Sequence, residues 1–399
     1  MRGGAWLAAW WVLAGVLARP AAAGTGTHGV AAGSAVDGSL NDVGPLPEDG
    51  DAPLAAWGGP PPWVTAWARW QARNVLRQGL DLDLAYDTTG ARGEVRVRGV
   101  GAEMLQLGAF GGAELLLAGA QHVWIRDGVN HPGRGFGTSQ AHAGARAGLA
   151  WPGGIVMQAE VAARGWGFTR LPWTDPDLRL PEPFVAAEPR LRAEWAQLTE
   201  DPGGLGLLHG LRGTAEVGAD LRMFNRPWGG LQGEKPDPRN NVGMGNVPRR
   251  FRLDGALGFN ALRIFHVHAA GQGGLGVDED DVSRTRVGGM SGRGVDLPGA
   301  AWGEYVVDRW AVARAGLGVR PHRRLYAGAT AHLVVVNDPR RDGHADALRL
   351  VRALSAGVRV GLWGWGLARL EVGGSWDVRR PRGHGALGAT MSLEVGAPP

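Results

Sequence analysis

Asp278-Glu279-Asp280-Asp281 sets four carboxylates in consecutive positions. Such a run suits a hard cation such as calcium, which collects about six to eight oxygen ligands. The ligand spacing of an EF-hand is absent, so solvated charge on an outer loop is the expected state. His266 and His268 stand two residues apart and would share one face of a strand, as a two-ligand metal site requires. No third ligand accompanies them in the sequence, and polar lining of an interior is the expected role. Gly271-Gln272-Gly273-Gly274-Leu275-Gly276 has the glycines of a phosphate loop, but neither a following helix nor a Lys-Ser/Thr pair supports that chemistry. No Ser/His/Asp set stands out. The absence of Cys excludes thiolate ligands, cysteine nucleophiles and a disulfide framework. The expectation is a protein that is not an enzyme and carries no cofactor or resident metal.

The elements that position these residues follow from composition and periodicity. The 399 residues include 68 Gly, enough to argue against long helices, because each interior Gly costs about 1 kcal/mol relative to Ala. Of the 42 basic residues only Lys235 is a lysine, and the 38 acidic residues are interspersed with the arginines. A net charge of +4 with no basic run therefore gives no reason to expect nucleic acid as a partner.

Met1 to Ala23 reads as a signal peptide, with Arg2 ahead of the apolar run Ala5–Ala18 and an A-x-A site at Ala21-Ala22-Ala23. Residues 24–62 read as a flexible linker ending in Pro60-Pro61-Pro62. Residues 63–77 read as an amphipathic helix, with Trp63, Trp67 and Trp70 along one side and Arg69, Arg73 and Arg77 nearby. Such a helix would lie in the membrane interface or pack in a barrel mouth. This arrangement leaves no room for a folded periplasmic domain ahead of residue 78.

From 78 to 396 the chain alternates with period two. Leu325, Ala327, Ala329, Ala331, Leu333 and Val335 are interleaved with Arg324, Tyr326, Gly328, Thr330 and His332. Leu354, Ala356, Val358 and Val360 are likewise interleaved with Ser355, Gly357 and Arg359, and Leu370 and Val372 with Arg369 and Glu371. These segments outrun ordinary globular strands and reach the length that crosses a bilayer when tilted. Only a closed barrel satisfies every backbone group in lipid, and apolar-out, polar-in strands are the outer-membrane signature. The fold class expected is all-β, a closed antiparallel transmembrane β-barrel of 14–16 strands. Arg324, His332, Arg359, Arg369 and Glu371 would line its lumen. Short connections at Gly111-Gly112, Trp151-Pro152-Gly153, Arg320-Pro321 and Trp363-Gly364-Trp365 alternate with long ones, and this parity yields 14 strands. Trp124, Trp151, Trp166, Trp302, Trp363 and Trp365 fall near strand ends, as an aromatic girdle would place them.

The stretch Arg286-Val287-Gly288-Gly289-Met290-Ser291-Gly292-Arg293-Gly294 resembles the inward-folded loop of one superfamily. That superfamily comprises outer-membrane assembly barrels, two-partner-secretion transporters and bacterial surface antigens. Leu297-Pro298-Gly299 through Asp308-Arg309 is similar to surface-antigen sequences at the same point, and five strands follow. The resemblance implies 16 strands, with Arg293 and Gly294 as the loop tip in the lumen. Val295 stands where an aromatic is expected, and the strand 322–336 lacks the acidic partner for the arginine. Glu304 and Asp308, on one face of a strand at 302–319, would take that part. The superfamily's usual periplasmic polypeptide-binding domains have no counterpart. What is implied is a barrel of the bacterial cell outer membrane, set in a lipid bilayer containing lipopolysaccharide and aiding insertion or export of client proteins. The alternative is a passive charge-lined porin or a structural surface barrel.

Overall fold

The computed structural model describes residues 28–39, 63–74, 79–87, 90–114, 121–122, 125–126, 129–172, 174–199, 205, 207–223, 226–231, 240, 247–261, 264–289, 295–300, 303–338, 347–362, 366–380 and 383–397. Sixteen long strands form its wall. They are β1 (His28–Ser39), β2 (Trp63–Ala72), β3 (Leu80–Asp87), β4 (Gly90–Arg98), β5 (Leu105–Glu114) and β6 (Phe136–Trp151). Next come β7 (Ile155–Thr169), β8 (Phe184–Leu198), β9 (Gly210–Ala219), β10 (Arg249–Ala261) and β11 (Phe265–Val277). The last five are β12 (Arg309–His322), β13 (Leu325–Val336), β14 (Arg349–Leu362), β15 (Gly366–Arg380) and β16 (Gly383–Ala397). Each pairs antiparallel with its neighbours in chain order. β1 pairs with β2 on one side and with β16 on the other, from Val30 opposite Ala397 to Ser39 opposite Gly388. The ladder thus returns to its start, and every wall strand has two hydrogen-bonded neighbours.

Period two decides which residues face which side. Leu191, Val217, Phe251 and Leu275 lie opposite one another across β8 to β11, all on the outer face and all solvent-accessible. An inner rung runs Gly258, His268, Gly316, Thr330, Ser355 and Gly373 across β10 to β15, without one bulky apolar side chain. Apolar side chains cover the outside and small or polar ones the inside, the inverse of a soluble domain. There is no α-helix among the described residues, and no helix long and apolar enough to cross a membrane.

Four expectations are corrected. Residues 63–72 form β2, not a helix: Trp63 and Trp67, four apart, satisfy period two as well as a helical turn, and partners on both sides settle the choice. Part of the expected linker is β1, whose Gly, Ala and Ser residues carry little periodic signal and whose strand is defined by backbone pairing. These two strands bring the wall from the 14 of loop parity to 16. Gly111-Gly112 is no turn but lies inside β5, where a Cβ on Gly112 would stand 2.7 Å from the Ala91 carbonyl oxygen. The hairpin falls instead at 99–104, where Gly99 and Gly101 adopt φ of 73° and 71°. Pro321 sits within β12 at a register shift, and the turn is Arg323-Arg324. The proposed leader, residues 1–23, lies outside the described residues.

Connections at one end of the wall are short, the longest being 199–209. Those at the other end include 170–183, 220–248, 278–308 and 337–348.

Candidate functional site

The connection 278–308 leaves β11 through Asp278, whose φ of 57° bends the chain back over the wall. Thr285–Val287 pairs antiparallel with Tyr305–Val307, a short hairpin whose side chains are fully buried at Val287, Val306 and Val307. The Gly288 N–H donates to the Val295 carbonyl at 2.9 Å, and the Leu297 N–H donates to the Gly289 carbonyl at 3.0 Å. Val287, Leu297, Tyr305 and Val307 then pack against Val312, Val334, Val336, Val351, Ala353 and Val378. Those partners project from the inner faces of β12 to β15, so the connection fills one side of the lumen. Two glycines permit the approach: a Cβ on Gly373 would stand 2.6 Å from that of Pro298, and Gly299, at φ 84°, presses against Ala386 and Ser375.

Three residues of the acidic run, Glu279, Asp280 and Asp281, anchor this plug, contrary to the solvated state expected of them, while Asp278 stays exposed beside Arg249. Asp280 is fully buried and accepts two hydrogen bonds from the Arg222 guanidinium, at 2.8 and 3.1 Å. Trp228 Nε1 donates to it at 3.3 Å, and the Ser283 N–H and Oγ donate at 3.0 and 2.8 Å. Asp281 receives Arg284 Nη1 at 3.0 Å, and its N–H donates to the Asn240 side chain. Glu279 lies 3.7 Å from Arg250 Nε. Burial pushes the Glu279 carboxyl up to about 8. Burial acts upward on Asp280 too, but the Arg222 charge and hydrogen bonds outweigh it and hold that carboxyl below its ordinary range. Arg222 follows β9 and Arg250 lies in β10, so the plug is also tied to the wall strands that lie beyond β11 from its apolar contacts.

The site residues expected from sequence separate into four groups. Arg293 and Gly294 lie outside the described residues. Glu304 and Asp308 sit on the inward connection itself rather than on a wall strand, because β12 begins at Arg309. Asp308 accepts from Asn337 Nδ2 at 2.5 Å and stands 4.0 Å from Arg284, while Glu304 is buried. Arg324 is in the turn between β12 and β13, its backbone carbonyl accepting from the Gly361 N–H. His332, Arg359, Arg369 and Glu371 do come together, around a lumen cavity of about 330 Å³.

That chamber lies between two inward folds. Toward the long connections it meets Asp296 and Pro298 of the plug. Toward the short ones it meets Leu207 and Leu208 of the connection 199–209. Leu205 and Leu207 are buried against Tyr326 and Leu367, and Arg359 Nη1 donates to the Leu205 carbonyl at 3.2 Å. The His266 and His268 rings stack at 5.8 Å between centroids, with His209 at 5.2 Å from His266. Among the described residues no His, Cys, Asp and Glu group has metal-site geometry. His268 pairs with Thr330 Oγ1 at 3.2 Å and His332 with Ser355 Oγ at 3.0 Å.

Sequence reasoning missed Arg222, Arg250, Arg314 and Leu205. Inward strand parity is the signal that marks Arg222, Arg250 and Arg314; nothing local marks Leu205. On the opposite wall the inner charges pair with each other: Glu188 with Arg164 at 2.7 Å and Arg190 at 2.6 Å, and Glu94 with Arg146.

No family model and no curated protein matches the sequence. Among solved structures, BamA from Haemophilus ducreyi lacking POTRA domains 1–3 superposes with a TM-score of 0.60 at 9% identity, covering 94% of this chain and 71% of that one. CdiB from Acinetobacter baumannii gives 0.52 at 9% identity, covering 93% and 60%. CdiB from Escherichia coli gives 0.52 at 12%, covering 92% and 63%. The chain thus spans about three fifths of the length of the CdiB chains. These neighbours are barrels of the superfamily that the 286–294 loop resembles, and the fold here is theirs: an outer-membrane-type β-barrel.

Proposed function

We propose that this chain, with the fold of those assembly and secretion barrels, is a plugged barrel of the bacterial outer membrane that aids insertion or export of client proteins. It would do so without catalysing a reaction. The observation that carries this reading is the connection 278–308, held inside the lumen by an apolar face against β12 to β15 and by the Asp280–Arg222 pair. A passive porin has to keep its lumen open to solutes, whereas here two inward folds occupy it. In the proposed mechanism the docked plug keeps the resting barrel sealed, and a client strand is guided at the β1–β16 seam, where the ring closes. The surrounding partner is the lipid bilayer with its lipopolysaccharide, against the outer apolar face.

The test pairs two measurements. Deleting the gene and quantifying the outer-membrane proteome is expected to deplete other barrels or secreted proteins selectively. The purified chain in planar bilayers is expected to be electrically silent, with conductance appearing when residues 285–307 are removed. A steady unitary conductance from the intact chain, together with an unchanged proteome, refutes the proposal and favours a porin.

A further inference from the structure

The lumen chamber has a composition that sealing does not require. Arg212, Arg314, Arg359 and Arg369 reach it from four strands, against two carboxylates, Asp296 and Glu371. The excess is two positive charges in a space of about 330 Å³, at the lower end of the range of ligand pockets (about 300–1,000 Å³). The plug uses only part of this charge. Arg314 Nη2 makes one long hydrogen bond, 3.4 Å, to the Asp296 carbonyl and stands 3.9 Å from its carboxylate, leaving the buried Nε without a partner. His332, its cross-strand neighbour, spends Nε2 on Ser355 and leaves buried Nδ1 without one. Arg212 stands exposed at the end lined by Leu207 and Leu208. Buried polar atoms left unmatched, as at Arg314 Nε and His332 Nδ1, are costly unless something occupies them.

Glycines keep the space clear. Gly316 and Gly357 lie on neighbouring inner rungs; a Cβ on Gly316 would strike the His268 ring, and one on Gly357 would stand 3.0 Å from the Leu370 carbonyl oxygen and 3.4 Å from the Glu371 side chain. The wall here carries no bulk where bulk would fill the cavity and carries charge where water alone would suffice.

We infer that this chamber is a binding site for a small oxyanion of charge two or more, a phosphate or phosphate ester, entering from the end with the short connections. Arg314 and His332 would donate to its oxygens, with Arg359 and Arg369 completing the shell. The site is independent of client handling, and its test does not use that activity.

The experiment uses the full chain in detergent micelles, titrated by calorimetry at fixed ionic strength with inorganic phosphate and, separately, glycerol 3-phosphate. Saturable binding of either probe is expected, and the tighter one tells whether free phosphate or an ester is preferred. Arg314→Gln and Arg359→Gln should each weaken the dissociation constant about tenfold or more. Arg352→Gln, on the outer face and paired with Asp377, should leave it unchanged. Folding of each variant is read from heat-dependent gel migration. Absence of saturable binding to the wild-type chain overturns the inference without recourse to variants. So does equal loss of affinity in Arg352→Gln.

Discussion

Replacing Asp280 with Asn keeps the side chain's shape and removes its charge, which isolates the electrostatic part of plug docking. In the docked state Arg222 faces Asp280 with a side chain only 4% exposed, so the cation cannot turn to water. Breaking a buried pair by removing one partner costs about 3–5 kcal/mol, because the remaining charge is left uncompensated. Asp220 stays 4.0 Å from Arg222 and offsets part of that, which places the expected cost near the lower figure, about 3 kcal/mol. That corresponds to a shift of about a hundredfold toward the undocked state. Hydrogen exchange followed by mass spectrometry should show the loss as faster exchange across 284–307, with β12 to β15 unchanged. Adding Arg222→Gln to the first substitution should recover part of the protection, since both charges are then gone. Exchange across 284–307 within about threefold of wild type would refute the view that this pair holds the plug.

Three further outcomes are expected. Glu279 goes from an ordinary 4.5 to about 8 when docked, so the proton is held more tightly in the docked state. Its contribution to docking is therefore complete below about pH 4.5 and lost as pH rises through 8, and Glu279→Gln should flatten the fall in exchange protection over that window. Leu333 points outward from β13, and Leu333→Arg should cost about 2–4 kcal/mol if placed at the bilayer midplane, read as a lowered urea midpoint in vesicles. An unchanged midpoint would place that face in water. Ala32 and Val395 are opposite each other across the closing seam, and the chain has no Cys. Ala32→Cys with Val395→Cys should oxidise to an intramolecular disulfide, while moving the second cysteine to Leu387 should abolish it.

The strands from 136 to 395 were legible because one face had to meet lipid: Leu333 or Leu354 at every second position leaves a periodic trace whatever the lumen contains. β1 left none, since its run of Gly, Ala and Ser shows little apolar/polar alternation, and its place depends on partners 26 or more residues away. Trp63, Trp67 and Trp70 misled because spacings of four and seven suit a helix, while tertiary pairing overrides so short a signal. At the site, parity identified the inner-facing His332, Arg359, Arg369 and Glu371. It could not tell that Glu279, Asp280 and Asp281 turn inward, because burial of these three carboxylates is set by Arg222, Arg250 and Arg284, of which the first two are 29 or more positions distant. Charge alone reads as solvated until its counter-charge is found.

The two halves of the wall treat their inner surfaces differently. Around β4 to β8 the charges are matched within the wall, as in Glu188 with Arg164 and Arg190, and that surface would be the same whether or not the plug were present. Toward the long connections, the inner surface of β12 to β15 carries Val312, Val334, Val336, Val351, Ala353 and Val378, a hydrophobic strip that the plug shields from water. Withdrawal of 278–308 would wet that strip, so simple opening is uphill by the full area uncovered. Exchange is not: an incoming apolar hairpin that took the places of Val287, Leu297 and Tyr305 would leave the strip dry throughout. The asymmetry makes this lumen a socket, in which one occupant leaves most readily as another arrives.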